Sequence, residues 1–500
     1  MAEVVVIGAG MGGLAAAARL AALGHDVSVF EQGKHPGGKV ATYRRDGFAF
    51  DTGPSLLTLP AVYRDLFLKT ASSRRGAPLE EQVDLRALDP AFAYRWADGS
   101  SAVLPGSNTQ RVAHALGDAL GGRAADDWNR FSRRAGHTWS VTRGPFLESP
   151  LDGPRDLLRQ LHRLGDVRAV APWRTLRSLG RRSFADDRLV TLLDRYATYA
   201  GSDPRRAPAA LSVIPYVEQT FGAWHVGGGI GVLADAVYRR CVDRGVSFTF
   251  SCDVVEVVTD GGRAAGVRLA DGRRVAADVV VANADAAHLY RDLVADPRSA
   301  APLAALDRAT PSLSGFVLLL ALRGRSRDLE HHNVSFPADY DAEFDAIFGP
   351  APRPVPDPAL YICAPDDPTM RPDDQHESWF VLANAPRHLP GNGVDWDGPG
   401  VAEAYADHLL GIMARRGLDV RDRLVWREVR TPADLERQTR APGGAIYGTS
   451  SNGIRAAFLR PANRSPVPGL FLVGGSAHPG GGLPLVGLSA AIVATLVGPA

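Results

Sequence analysis

The residues that first suggest chemistry are Gly8-Ala9-Gly10-Met11-Gly12-Gly13, a GxGxxG pattern. In such a pattern Gly8 makes a tight turn, Gly10 lets backbone approach a diphosphate, and Gly13 allows close helix-on-strand packing. Glu31 stands eighteen residues beyond Gly13, where a carboxylate accepts hydrogen bonds from ribose hydroxyls. An acidic group there selects an unphosphorylated ribose, hence FAD or NAD and not NADP. Two further clusters carry the same small-residue chemistry. One runs from Gly37-Gly38-Lys39 to Asp51-Thr52-Gly53-Pro54, and the other is Gly474-Gly475-Ser476-Ala477-His478-Pro479-Gly480-Gly481-Gly482-Leu483-Pro484.

The elements needed to position these groups are legible around them. Val4-Val5-Val6-Ile7 reads as a central parallel strand covered on both faces. Leu14 to Leu20 is a strong helix former whose N-terminal N–H groups face the diphosphate. His25 to Phe30 then reads as a second strand ending at Glu31. NAD domains have no general need of the second glycine cluster and its DxG turn. FAD enzymes of the glutathione-reductase-like class use such turns to reach the flavin end. Further along, Gly231 to Arg244 is an amphipathic helix, Ala264 to Val275 a hairpin with an Asp-Gly turn, and Ala277 to Ala282 a buried parallel strand. Gly315–Leu322, Leu360–Cys363 and Trp379–Ala383 read as strands of another sheet. Arg353–Pro358 is a loop, Thr431-Pro432-Ala433-Asp434 starts a short helix, and the last helix runs from about Leu485 to Leu496.

With these motifs the chain resembles the carotenoid desaturase family, of the bacterial phytoene desaturase or hydroxycarotenoid 3,4-desaturase type, within the flavin amine oxidase superfamily. The resemblance is carried by the GxGxxG turn, Glu31 through Lys39, Asp51 to Ser55, and Leu472 to Pro484. Gly227-Gly228-Gly229-Ile230 and Asn283-Ala284-Asp285 follow the family's order. It implies an α/β fold: a glutathione-reductase-like FAD-binding Rossmann domain with a discontinuous mixed-sheet plus helical substrate domain. The pieces expected are 1–60, 222–295 and 440–500 for FAD, and 61–221 with 296–439 for substrate. Carried over by position, the resemblance implies FAD contacts at Gly8, Gly10, Met11, Gly12, Gly13, Glu31, Gly38, Lys39, Gly53, Pro54, Val254, Gly474, Gly475, Leu483 and Pro484. Val254 would meet adenine through its backbone. Lys39 replaces the usual arginine, keeping the charge but losing the planar fork. Gly475-Ser476 lacks the acidic residue common in this last turn, which shifts work to N–H groups of the final helix.

Composition narrows the class further. Five hundred residues, 45% hydrophobic and 22% charged with a net charge of +1, describe a multi-domain globular protein with no whole-molecule attraction to nucleic acid. Three scattered cysteines fit a reducing cytoplasm and read as buried spectators. No metal is expected: the histidines form no HExxH, and His331-His332 reads as part of a polar loop. Glycines interrupt the apolar runs at both ends, so neither reads as a membrane span, and no signal peptide is read at the start. Residues 155–182 carry eight arginines against two aspartates, with Leu157, Leu158, Leu161, Leu164 and Trp173 as an apolar side. Two readings stay open for it: a solvated helical face, or, within a helical part spanning about 110–200, peripheral docking on the inner face of the cell membrane.

Desaturating a polyene removes two hydrogens from adjacent carbons, one as hydride to flavin and one as a proton. The protein's main task is to position a lipid-soluble carotenoid in an apolar tunnel, with oxygen or a quinone as the final electron acceptor. His478, Glu218, His225 and Tyr216 are the candidates for the proton acceptor or a charge-steadying group. Other readings are a flavin amine oxidase acting on a polar amine, a carotene cis-trans isomerase, and a non-catalytic FAD-bearing carotenoid-binding protein.

Overall fold

Strand β1 (Glu3–Ile7) lies between β2 (Asp26–Phe30) and the strand Val279–Ala282, parallel to both. The strands Ser247–Thr249 and Leu470–Leu472 complete a five-stranded parallel sheet. Its β-branched run is buried on both faces, as expected of a sheet without a solvent side. Val4 and Val6 pack with helix α1 (Met11–Ala22), the helix Gly231–Asp243 and the final helix Leu483–Val497. Val5 and Ile7 point the other way, into a core shared with the antiparallel meander Val254–Asp260, Arg263–Leu269, Arg274–Ala276. This is a computed structural model, and it describes residues 1–71, 76–151, 164–453, 456 and 460–500.

A second, mixed sheet has seven strands in the order 424–430, 314–323, 376–385, 360–363, 332–335, 92–95, 101–104. All neighbours run antiparallel except 332–335 with 92–95. One face packs on the helix Val401–Arg415 through Phe316, Leu318, Leu320 and Trp379. The opposite face carries Leu319, Ala321, Cys363 and Phe380 beneath Phe48 and Phe50 of the hairpin 42–51. A helical layer, including Ala124–Thr142, Asp187–Arg195 and Val213–Phe221, closes the end near residues 92–104.

Several sequence expectations change in detail. The helix Ala61–Lys69, drawn into the substrate part, packs Tyr63, Leu66 and Phe67 into the core of α1 and the final helix. The final helix begins at Leu483, two residues early, with Pro484 in its first turn. The stretch 155–182 falls partly outside the described residues; within them it forms two short helices, Leu164–Val170 and Leu176–Ser183. Arg177 does not belong to a solvated face, because its side chain is 12% exposed and pairs with Asp194 and Asp341. His331-His332 is not a polar loop: His332 opens the strand His332–Ser335 and is fully buried. Of the three cysteines, Cys241 and Cys363 are buried and Cys252 is half-buried. The helix at Thr431 starts as expected, with a reciprocal capping box to Asp434.

Candidate flavin site and its surroundings

The parallel ladder brings four turns to one edge of the first sheet. Each follows the C-terminal end of a strand, where open α/β sheets leave a ligand crevice. Gly8 follows β1, Glu31 follows β2, Asn283 follows the strand 279–282, and Gly474 follows 470–472 by way of Val473. The bonds Gly8 N–H to Phe30 O, Asn283 N–H to Ile7 O and Val473 N–H to Ala282 O, each 2.8–2.9 Å, extend the sheet into these turns.

The glycines are demanded by close approach. A Cβ on Gly13 would stand 2.1 Å from the Gly8 carbonyl oxygen. One on Gly12 would stand 2.4 Å from Asn283 Oδ1 and 2.9 Å from Gly474 Cα, so the first and last glycine turns of the chain touch. Gly8 and Gly474 also have φ of +91° and +108°, which disfavour a side chain. The helices starting at Met11 and Leu483 both lack a side-chain cap and an acidic residue in their first turn. The N–H groups of their first turns are thus left without a side-chain cap, as a diphosphate site requires.

Around this cradle, Glu31 accepts from Ala9 N–H at 2.6 Å and Gly33 N–H at 2.7 Å, which fixes its carboxylate beside the turn. Gly37 N–H bonds the Ala9 carbonyl at 2.9 Å, and a Cβ on Gly38 would stand 3.2 Å from Gly10 Cα. The second glycine cluster is therefore folded back on the first. Lys39 Nζ donates to the Ile446 carbonyl at 2.7 Å. Burial lowers the Lys39 pKa, which Asp285 opposes, and burial raises that of Asp285, which Lys39 opposes. Gly53 packs on Lys39, where a Cβ would stand 2.0 Å from its carbonyl oxygen, and Pro54 follows. Asp51 accepts from Ile230 N–H at 2.7 Å, so the DxG turn also anchors the helix 231–243; burial pushes its carboxyl up to about 7. Val254 opens the meander, packed with Phe30 and Ile7 behind Glu31. Met11 is buried in the α1 core, and the Leu483 carbonyl accepts from Tyr63 at 2.9 Å. Arg460 donates to the carbonyls of Gly475 at 2.6 Å and Tyr447 at 3.1 Å; burial, opposed by Asp285, lowers its pKa to about 10.

The four side chains singled out for proton chemistry each have their own partners. Glu218 is buried, accepts from the Tyr196 hydroxyl at 2.6 Å, and is pushed up to about 7 by burial, against the pull of Tyr196, Arg195 and Tyr199. His225 bonds Asp367 at 2.9 Å and meets the His331 ring at 4.7 Å; burial lowers its pKa in spite of Asp367. His478 Nε2 meets the Ser149 carbonyl at 3.0 Å, while its own carbonyl accepts from Asn463 and Ser489, both at 2.8 Å. Tyr216 packs against Gly136, where a Cβ would stand 2.8 Å from its ring.

The sequence reading passed over the residues that surround Glu218. Arg195 is 6% exposed and its guanidinium lies 5.1 Å from the Tyr199 ring centroid and 5.9 Å from that of Tyr361. Tyr447 joins this nest to the last glycine motif: Cβ atoms on Gly201 and Gly481 would stand 2.9 Å and 2.3 Å from its ring. Asn283 was also missed as a site residue, although its place directly after a parallel strand was a usable signal.

Residues 11–383 match the family model of flavin containing amine oxidoreductases. The chain belongs to that family. This flavoenzyme is 34% identical to a 4,4'-diapolycopene oxygenase of Methylomonas sp over 98% of its own length and 97% of the relative's. It is also 34% identical to a hydroxyneurosporene desaturase of Rubrivivax gelatinosus, covering 98% and 92% of the two chains. An oxidoreductase from Methanosarcina mazei shares its fold with a TM-score of 0.65 at 16% identity, over 99% of this chain and 100% of that one. The flavoenzyme's cofactor is FAD, and the cradle fits it: two uncapped helix starts for a diphosphate and a fixed carboxylate for an unphosphorylated ribose.

Proposed function

We propose that the protein is an FAD-dependent carotenoid desaturase that introduces C=C bonds into a polyene such as phytoene or a 1-hydroxycarotenoid. The observation that carries this reading is the near full-length 34% identity to a hydroxyneurosporene desaturase, together with a cradle suited to FAD. Bound FAD supplies a two-electron acceptor for hydride. The chain's own residues supply the cradle contacts described above, and substrate binding beside the flavin has to exclude water. Glu218 is our choice for the proton acceptor, because a buried carboxyl near 7 exchanges a proton close to neutral pH. Arg195 and Tyr196 then act as positioning residues, steadying its charged form.

A lipid-soluble substrate calls for delivery from a membrane. No helix among the described residues is long and apolar enough to cross one. Peripheral docking at 164–183 is supported by Trp173, 58% exposed, and by exposed Arg168, Arg181 and Arg182.

Expression in a host making phytoene, and separately in one making a 1-hydroxycarotenoid, tests the reading. Each double bond formed extends the chromophore and removes two hydrogens from the product mass. The equal identity to a diapolycopene oxygenase supports a second reading, oxygenation of the polyene end, which adds oxygen mass instead. Turnover of amines with both polyenes unchanged would overturn both readings.

A further inference from the structure

Two interior strands of the seven-stranded sheet, 332–335 and 360–363, gather side chains for which hydride transfer has no use. His332 and Cys363 are direct partners across adjacent antiparallel strands, so the register sets them side by side. His331 precedes the strand, with its ring 4.6 Å from that of His332. One ligand atom from each of His331, His332 and Cys363 lies within 4.8 Å of the other two. Nε2 of both histidines is buried without a hydrogen-bond partner, and His332 and Cys363 are 0% and 3% exposed. Leaving such buried polar atoms unpaired is costly, so the pair calls for a ligand. His332 Nδ1 is already engaged by the Tyr361 hydroxyl at 2.8 Å, the second contact that orients a metal-bound imidazole. A cavity of about 10 Å³, roughly the room one water needs, adjoins His331 and Cys363 and is also lined by Asp51, Ser55 and His225.

We propose that His331, His332 and Cys363 form a binding site for one Zn²⁺ ion, with a water in the adjoining cavity as fourth ligand. Two imidazoles and a thiolate select a borderline-soft ion over Mg²⁺ or Ca²⁺, which take oxygen ligands. Bonds of about 2.0–2.3 Å in a tetrahedron put ligand atoms roughly 3.3–3.8 Å apart. The three atoms therefore need to close by about 1 Å, within reach of side-chain rotation. Binding converts the Cys363 thiol to thiolate and releases its proton to solvent. The ion would clip the strand 332–335 to the strand 360–363, beside the His225 ring. Nothing in it takes part in electron transfer, so the site stands or falls apart from the desaturase reading.

Metal analysis of the flavin-loaded enzyme, desalted and then incubated with Zn²⁺ or Co²⁺, tests the proposal. About one ion per flavin is expected, with a sulfur-to-cobalt charge-transfer band in the near ultraviolet. Cys363→Ser should abolish the band, and His332→Gln should weaken Zn²⁺ retention at least tenfold, both with flavin absorbance unchanged. Unmodified enzyme with full flavin that takes up neither ion would overturn the proposal, with no dependence on how the variants fold. So would equal metal retention by both variants, the mark of an adventitious ion only.

Discussion

The flavin cradle and the nest around Arg195 and Glu218 are built by opposite means. In the cradle, backbone does the recognition, and side chains are mostly removed: Gly8, Gly12, Gly13 and Gly474 let two turns from opposite ends of the chain touch. In the nest, bulky polar side chains from distant segments share a buried space: Arg195, Tyr196, Tyr199, Glu218, Tyr361 and Tyr447. A diphosphate has one chemistry wherever it binds, so the same glycines and helix starts serve it repeatedly. A polyene offers almost no polar handle, so its site is defined by shape and by a few groups whose properties come from burial.

Substitutions on the two sides should therefore fail differently. The largest effect is expected from Gly13→Val, whose Cβ would be driven against the Gly8 carbonyl oxygen. The strain exceeds the ~1–3 kcal/mol of ordinary overpacking because the obstacle is backbone. Colourless protein, or none in the soluble fraction, is the expected outcome; a yellow variant with wild-type flavin content would refute the packing argument. Asn283→Asp should have an intermediate effect. It keeps the shape but puts a negative charge among Gly10, Gly12 and Gly474, where the diphosphate is proposed to lie. Flavin retention measured by dialysis should fall about tenfold or more, equivalent to about 1.4 kcal/mol.

Glu218→Gln should leave the flavin in place and act through pH. The carboxyl is held at about 7 in the fold against an ordinary 4.5, so the folded state binds more protons between those values. Its contribution is fully present below about 4.5 and is lost as pH rises through about 7. The variant, which cannot titrate, should show a flatter decline of thermal midpoint over this window. At about 1.4 kcal/mol per unit the difference is at most about 3.5 kcal/mol. If Tyr196 and Arg195 favour the carboxylate, turnover of the variant should also lose its dependence on a group near neutrality. A colourless Glu218→Gln protein would erase the distinction between cradle and nest.

The cradle was legible because each residue type there is the chemistry: glycine where a side chain would collide, an acid after β2, a β-branched run before the turn. Periodicity likewise marked β1, the hairpin and the strands 314–323, 360–363 and 376–385, since a buried strand leaves a local pattern. Lys39 shows the limit of reading by position. Its charge was visible, but its bond to the Ile446 carbonyl joins residues 407 apart.

His331 and His332 show the limit more sharply. Local polarity pointed to a loop, whereas pairing with the strand 360–363 buried His332 beside Cys363, with His331 half-buried next to them. The same holds for Glu218, a helical glutamate that burial turns into a near-neutral acid against the pull of Arg195, Tyr196 and Tyr199. Sequence alone carried the presence of a dinucleotide site and the order of its turns, because covalent spacing and local sterics suffice for those, and its motifs carried the resemblance to carotenoid desaturases. Tertiary structure alone decided which polar groups meet, which lose their water and which keep their charge, because desolvation and proximity depend on segments hundreds of residues apart.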